Sequence, residues 1–482
     1  MRRTTTRRSF LKALGIGLPA AVMAPGATLL AEQQPGRRTD KPNIVFVLAD
    51  DLGYGDLGCY GQKDIRTPNI DRMVAQGMRF TDHYSGSTVC APSRCSLMTG
   101  LHTGHAFIRG NKEVQPEGQH PMPADTVTLP EVLKKAGYTT GAFGKWGLGY
   151  PGSEGDPVNQ GFDEFYGYNC QRIAHNYYPY SLWHNDQKVM LAGNEGRKTE
   201  QYAPDLIQQQ TLRFIETNKD RPFFLFVPSV IPHAELFVPE DEIVESYRGR
   251  FPEEPYKGTD DGPRYKKGGY GSVKTPRANF AAMITRLDMH VGQILDRLRD
   301  LGLDDNTLVV FSSDNGPHSE GGANPAYFDS NGIFRGQKRD LYEGGIRVPM
   351  IARWPGKVEA GTTSDHISAF WDWMPTLAAA AGADAPSGID GISMLPTLLG
   401  RPGRQKKHEY LYWEFHERGS KQAVRMGKWK AVKFNRTGKL ELYNLDRDPS
   451  ETTDIAGDHP DVVAQIETYL RDARTESQFW KL

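Results

Sequence analysis

Asn43-Ile-Val-Phe-Val-Leu48 is a continuous apolar run, bounded after Ala49 by Asp50-Asp51-Leu52-Gly53. A strand wet on one face alternates apolar and polar side chains. One without alternation is covered on both faces, as in the middle of a sheet flanked by helices. The same pattern recurs at Pro222-Phe-Phe-Leu-Phe-Val-Pro228 and at Thr307-Leu-Val-Val-Phe311, the last running into Ser312-Ser313-Asp314-Asn315-Gly316, and Tyr138-Thr-Thr-Gly-Ala-Phe143 reads as another strand. Caps and periodicity predict helices over 67–76, 129–136 behind Thr128, 205–218, 277–301 and 368–381, and a further strand over 348–353. The class is therefore α/β, a large sheet sandwiched by helices.

Two adjacent carboxylates at the carboxyl end of a buried strand repel each other and resist desolvation, so water or a cation must relieve them. Taken alone, Asp-Asp before Gly is a solvated turn or cap, and Asn-Gly is a hairpin turn. Strand ends, however, are where open α/β sheets bind ligands. Asp50, Asp51, Asp314 and Asn315 together offer four oxygen-bearing side chains from two strand ends, a set suited to Ca2+, with Mg2+ the second choice. No His/Cys cluster suggests zinc.

Pro92 at an opening turn predicts a helix beginning just after Cys90. Cys90 then lies near free backbone N–H groups at the positive end of a helix dipole, a seat for an anion. Arg94, one turn on, adds a cation able to fork onto oxyanion oxygens. Without further context Cys90 would be an ordinary buried thiol.

The run Cys90-Ala91-Pro92-Ser93-Arg94, followed closely by Thr99-Gly100, resembles the signature of type I sulfatases of the alkaline phosphatase-like superfamily. Met98 and Leu101 depart from the usual residues, and the resemblance extends with gaps from about residue 41 to 373. It implies that Cys90 is oxidised to formylglycine, whose hydrated aldehyde is the nucleophile, and that Asp50, Asp51, Asp314 and Asn315 ligate Ca2+ together with residue 90. Gly144-Lys145-Trp146-Gly147-Leu148-Gly149 is similar to the family's Gly-Lys-Trp-His-Leu-Gly, which makes Lys145 a sulfate ligand. Gly147 stands where the family has a His, leaving His175, His102 and His105 as candidates for its role, His175 foremost. His233, alone a structural histidine, matches a sulfate-binding and leaving-group His. Lys338, before Tyr342-Glu343-Gly344-Gly345, matches a sulfate-binding Lys although Gln337 interrupts the usual Gly-Lys pair.

The aromatic segment 161–183 either packs against the fold or offers a platform to a sugar. The polar, Gly-rich stretch 240–275 reads as a lid or binding loop. From about residue 386 the composition shifts to Pro, Gly and basic residues, and alternating runs over 410–415, 423–434 and 440–445 precede a helix over 461–474. Three parts are expected: a signal segment 1–31, a catalytic domain 41–385, and a C-terminal α+β subdomain 386–482 on an antiparallel sheet.

Arg7-Arg8-Ser9-Phe10-Leu11-Lys12 before a Gly- and Pro-broken apolar run has the pattern of a twin-arginine signal, implying export by the twin-arginine translocase to the periplasm or medium. That run is too short and too weakly apolar for a stable membrane anchor. Since this route carries folded chains, a formylglycine-generating or anaerobic sulfatase-maturating enzyme would have to act on Cys90 in the cytoplasm. Residues 1–31 hold five basic and no acidic side chains, leaving 53 basic and 59 acidic, net −6, which argues against nonspecific nucleic-acid binding. With Cys90 converted, Cys59, Cys95 and Cys170 allow at most one disulfide.

The expected activity is hydrolysis of sulfate monoesters of a sulfated carbohydrate. A phosphate or phosphonate ester hydrolase of the same superfamily is the near alternative, and a non-catalytic sulfated-glycan-binding protein the distant one.

Overall fold

The structure is a computed structural model that describes residues 41–196, 198–259, 269–417, 419–435 and 437–482. The expected signal segment and part of the 240–275 stretch lie outside these residues. The strands are β1 (Asn43–Asp50), β2 (Met78–Phe80), β3 (His83–Tyr84), β4 (Thr139–Lys145), β5 (Glu164–Tyr168), β6 (Ser181–His184), β7 (Gln187–Met190), β8 (Phe223–Pro232), β9 (Thr307–Ser313), β10 (Met350–Arg353), β11 (Thr362–Ser364) and β12 (Ser368–Ala369). All but the paired β3 and β12 form one ten-stranded sheet, ordered β11-β2-β10-β9-β1-β8-β4-β5-β6-β7.

Its centre, β9-β1-β8-β4-β5, is parallel, while β10 and β6 run against their neighbours. The unbroken apolar runs follow from this, because β1 has a core on each side. Val45, Val47 and Ala49 face the side of helices Ala203–Thr217 and Pro276–Asp300. Ile44, Phe46 and Leu48 face that of helices Leu129–Lys135 and Trp373–Ala380. The Glu131 carboxylate accepts from the Thr128 N–H at 2.9 Å, so the expected cap holds one helix start.

Helix Trp373–Ala380 begins later than the predicted 368, because Ser368 and Ala369 pair with β3 and the Asp372 carboxylate accepts from the Ala369 N–H at 2.8 Å. The run read as one strand over 423–434 is a hairpin of β14 (Lys421–Met426) and β15 (Trp429–Phe434), after β13 (Leu411–Phe415) and before β16 (Leu440–Asn444). Gly427, at φ +56°, turns the chain there. This antiparallel sheet takes helix Pro460–Asp472 on one face through Ile466 and Leu470. Its other face, with Trp413, Phe415 and Tyr443, packs on Tyr84, Ile346 and Trp371.

In the aromatic segment, Phe162, Phe165, Tyr166, Tyr168, Tyr177 and Tyr178 are buried, which favours packing over a sugar platform for these rings. All four cysteines are free thiols. Among the described residues no helix is long and apolar enough to cross a membrane.

Candidate active site

Parallel pairing puts the carboxyl ends of β9, β1, β8 and β4 on one edge of the sheet. Asp314, Asp50, His233 and Lys145 stand at or just beyond those ends. Helix Cys90–Thr99 points its first turn at the same edge, starting at Cys90 itself rather than after it, and all ten of its residues are buried.

The charges interlock. Lys145 Nζ donates to Asp50 Oδ2 at 2.5 Å and lies 3.4 Å from Cys90 Sγ. Arg94 donates to Asp314 Oδ2 from Nε at 3.0 Å and from Nη2 at 2.8 Å, with Nη1 on the Lys145 carbonyl. Lys338 Nζ donates to Asp51 Oδ2 at 2.7 Å, to Glu320 Oε2 at 3.0 Å and to His233 Nε2 at 3.1 Å. Asp51 holds a left-handed φ of +63°, fixed by its N–H on Asp314 Oδ1 at 3.1 Å. Backbone held this way in a non-glycine residue is a feature of functional sites.

The side chains shift one another's protonation. Burial pushes the Asp50 carboxyl up, but Lys145, His233 and Arg94 outweigh it and hold the group below the usual carboxylate range. Asp51 is lowered against burial chiefly by Lys338. Asp314 goes the other way: burial and then Asp50 raise it to about 7 even with Arg94 upon it. Burial also raises the Cys90 thiol to about 12, so an unmodified Cys90 would be a poor nucleophile at neutral pH. His233 is pushed down to about 4 by burial and then by Lys338. Its Nδ1 lies 2.5 Å from the Ala234 carbonyl and so carries the proton, which leaves Nε2 to accept from Lys338.

Asp50, Asp51, Cys90 and His233 each place a ligand atom within 4.8 Å of the others. Two oxygens of the expected metal set, Asp50 Oδ1 and Asn315 Oδ1, are buried without a hydrogen-bond partner, whereas Asn315 Nδ2 donates to Asp51 Oδ1 at 2.7 Å. Orphaned hard oxygens beside a carboxyl raised to about 7 are what a divalent cation would satisfy, so this cluster fits one.

All the nucleophile, anion and metal candidates thus converge. Among the three histidines considered for the missing family His, only His175 is near, stacked on His233 at 5.0 Å between centroids and with Nδ1 buried and unpartnered. His102 and His105 lie past the far end of the Cys90 helix, about 15 Å along its axis. There they stack on each other and bind Asp390, so the structure does not bring them to the site. Gly147 has φ +84°, a conformation side-chain-bearing residues rarely adopt, and the Gln171 side chain lies 3.0 Å from where a Cβ would stand.

Three neighbours escaped the sequence reading: Glu320 on Lys338, His318 stacked 5.7 Å from His233, and Tyr270, whose hydroxyl donates to Glu320 at 3.1 Å. His318 follows Asp314-Asn315-Gly316 closely, and Tyr270 lies in the stretch read as a binding loop; both were findable by place though not by pattern.

The sulfatase family profile matches residues 42–383, and that of the N-sulphoglucosamine sulphohydrolase C-terminal region matches 331–476. N-acetylgalactosamine-6-sulfatase of Rattus norvegicus is 33% identical, over 90% of this chain and 78% of its own. Arylsulfatase A of Homo sapiens is also 33% identical, over 92% and 87%. The crystal structure of Ps i-CgsB in complex with k-i-k-neocarrahexaose superposes with a TM-score of 0.74 at 30% identity, covering 92% of this chain and 95% of that one. With a site built around Cys90 and matches of this extent, the chain belongs to the sulfatase family and is a sulfuric ester hydrolase.

Proposed function

We propose that this enzyme hydrolyses a sulfate monoester of a sulfated carbohydrate at Cys90, with Asp50, Asp51, Asp314 and Asn315 holding Ca2+, or Mg2+ as second choice. The observation that carries this reading is the convergence of Cys90, Arg94, Lys145, His233 and Lys338 on one buried cluster with orphaned oxygens. The sugar follows from the relatives, which include an N-acetylgalactosamine-6-sulfatase and a structure bound to k-i-k-neocarrahexaose. When present, the cation would neutralise sulfate charge, and oxidation of Cys90 to formylglycine would supply the nucleophilic hydroxyl that the buried thiol lacks.

The chain's own residues do the rest. Cys90 Sγ marks where the attacking oxygen would stand, and Lys145 Nζ, 3.4 Å away, is placed to hold a sulfate oxygen there. Arg94, tied to Asp314 and to the Lys145 carbonyl, keeps the pocket's charge preorganised. Lys338 stays charged, because Asp51, Cys90 and Glu320 outweigh burial, and its Nζ would hydrogen-bond the departing oxygen, passing a proton only as that oxygen becomes the stronger base. His233 presents an unprotonated Nε2 to Lys338, so it orients the ammonium as a hydrogen-bond acceptor and has no proton there to give. His175, behind His233, is the candidate to accept the hydroxyl proton when the nucleophile is regenerated.

Maturation of Cys90 by a formylglycine-generating or anaerobic sulfatase-maturating enzyme in the cytoplasm, then twin-arginine export to the periplasm or medium, belongs to the same reading. It rests on Arg7-Arg8-Ser9-Phe10-Leu11-Lys12. A panel of positionally sulfated mono- and disaccharides, with sulfate and phosphate esters of equal leaving-group reactivity beside it, tests the activity. Turnover of a sugar sulfate is expected; preference for the phosphate ester would sink the sulfate reading.

A further inference from the structure

An arc of polar side chains leaves the site from the residue after Cys90 and returns to Lys338. The Ala91 N–H donates to Asn111 Oδ1 at 3.3 Å, and Asn111 Nδ2 donates to Glu417 Oε1 at 3.2 Å. Glu417 Oε2 accepts from Arg339 Nε at 3.0 Å, and Arg339 Nη1 donates to Glu320 Oε1 at 2.7 Å. The second oxygen of Glu320 takes Lys338 Nζ at 3.0 Å and closes the arc. Lys338 is 3% exposed, whereas Glu320, Arg339 and Glu417 are 21%, 26% and 26% exposed, so the arc is a partly solvent-exposed edge of the buried cluster.

Arg339 reaches both carboxylates from a φ of +79°, a left-handed backbone that a side-chain-bearing residue keeps only when its surroundings impose it. Its N–H is bound to the Thr88 carbonyl at 3.1 Å and its own carbonyl to Lys421 Nζ at 2.9 Å. Two carboxylates with spare lone pairs, bridged by a planar guanidinium, form a donor–acceptor set suited to ring hydroxyls. A sulfate ester seated against the buried Cys90 would have to send its leaving group towards solvent, and these links place the partly exposed carboxylates and guanidinium next to the cluster.

We propose that Glu417, Arg339 and Glu320 form the leaving-group subsite, reading the hydroxyls of the sugar that carries the scissile sulfate. The turn between β13 and β14 would then set specificity for chemistry done by the main sheet. The subsite presupposes the ester hydrolysis proposed above.

The test compares kcat/KM for the preferred sugar sulfate with that for 4-nitrophenyl sulfate, whose leaving group has no hydroxyls, in the full-length matured enzyme. Glu417→Gln and Arg339→Lys should each lower the sugar-to-aryl ratio at least about fivefold, chiefly through KM. Thermal melting reports folding, and Arg339→Lys serves if Glu417→Gln does not fold. A smaller change in the ratio, or parallel loss on both esters, overturns the subsite. So does wild-type enzyme that cleaves the aryl ester but no sugar sulfate. Wild-type enzyme that cleaves neither ester instead overturns the sulfatase reading beneath it.

Discussion

Among the described residues, two buried ion clusters are built differently. In the first, around Cys90, three carboxylates meet Arg94, Lys145 and Lys338, yet Asp50 Oδ1 and Asn315 Oδ1 remain without partners. In the second, under the C-terminal sheet, Lys430 donates to Glu343 Oε1 at 2.9 Å and to Glu451 Oε1 at 3.3 Å. Glu343 Oε2 accepts from the Tyr84 hydroxyl at 2.6 Å and Arg347 at 3.1 Å, and Glu451 Oε2 accepts from the Glu343 N–H at 2.6 Å. All four oxygens are satisfied. A closed cluster fastens one sheet to another; an open one keeps buried charge ready for a ligand, at a cost in stability.

The largest effect that would break this contrast is at the nucleophile. Cys90→Ala should lower kcat/KM on a sulfate ester by more than about 10^3-fold with folding intact, measured beside the melting curve. Asp50→Asn should cost on the order of 10^2- to 10^3-fold, the scale of losing a preorganised charge. Chelation should likewise silence the wild-type enzyme, with Ca2+ restoring activity better than Mg2+ in a turnover assay. The closed cluster should respond in stability instead. Lys430→Met removes the partner of Glu451 Oε1 and of Glu343 Oε1 and should destabilise the fold by about 3–5 kcal/mol in denaturant titration, with turnover per folded molecule retained.

A subtler test of the closed cluster uses pH. Burial, and then Glu343 against Lys430, raises Glu451 from 4.5 to about 7. An acid raised on folding contributes stability fully below its unfolded value and loses it as pH rises through the folded one. Stability should therefore fall between about pH 4.5 and 7, and Glu451→Gln should flatten that slope in melts across the range. The smallest effect is expected at His105, outside both clusters: His105→Ala should change kcat/KM by less than about threefold.

What the residues revealed in order, and what they hid, follows the same division. The open cluster was legible because its parts sit at strand ends in short runs, Asp50-Asp51 and Asp314-Asn315, next to apolar segments with a single reading. Cys90 and Arg94 were legible from their resemblance to a known signature. The closed cluster was hidden because Glu343, Lys430 and Glu451 are far apart in the chain and individually ordinary. Only the docking of β15 and the 451 turn onto the main body unites them. His102 and His105 misled because sequence proximity to Cys90 ignores the length of the intervening helix. Gly427 was overlooked as a turn because Lys421–Phe434 alternates on both sides of it.

The account turns most directly on the chemical state of residue 90. Mass spectrometry of the Cys90 peptide from exported, active enzyme should find the sulfur replaced by an aldehyde oxygen. That peptide should react with a hydrazide, and activity should rise in proportion to the converted fraction. Full activity from protein whose residue 90 is wholly an unmodified thiol would contradict it.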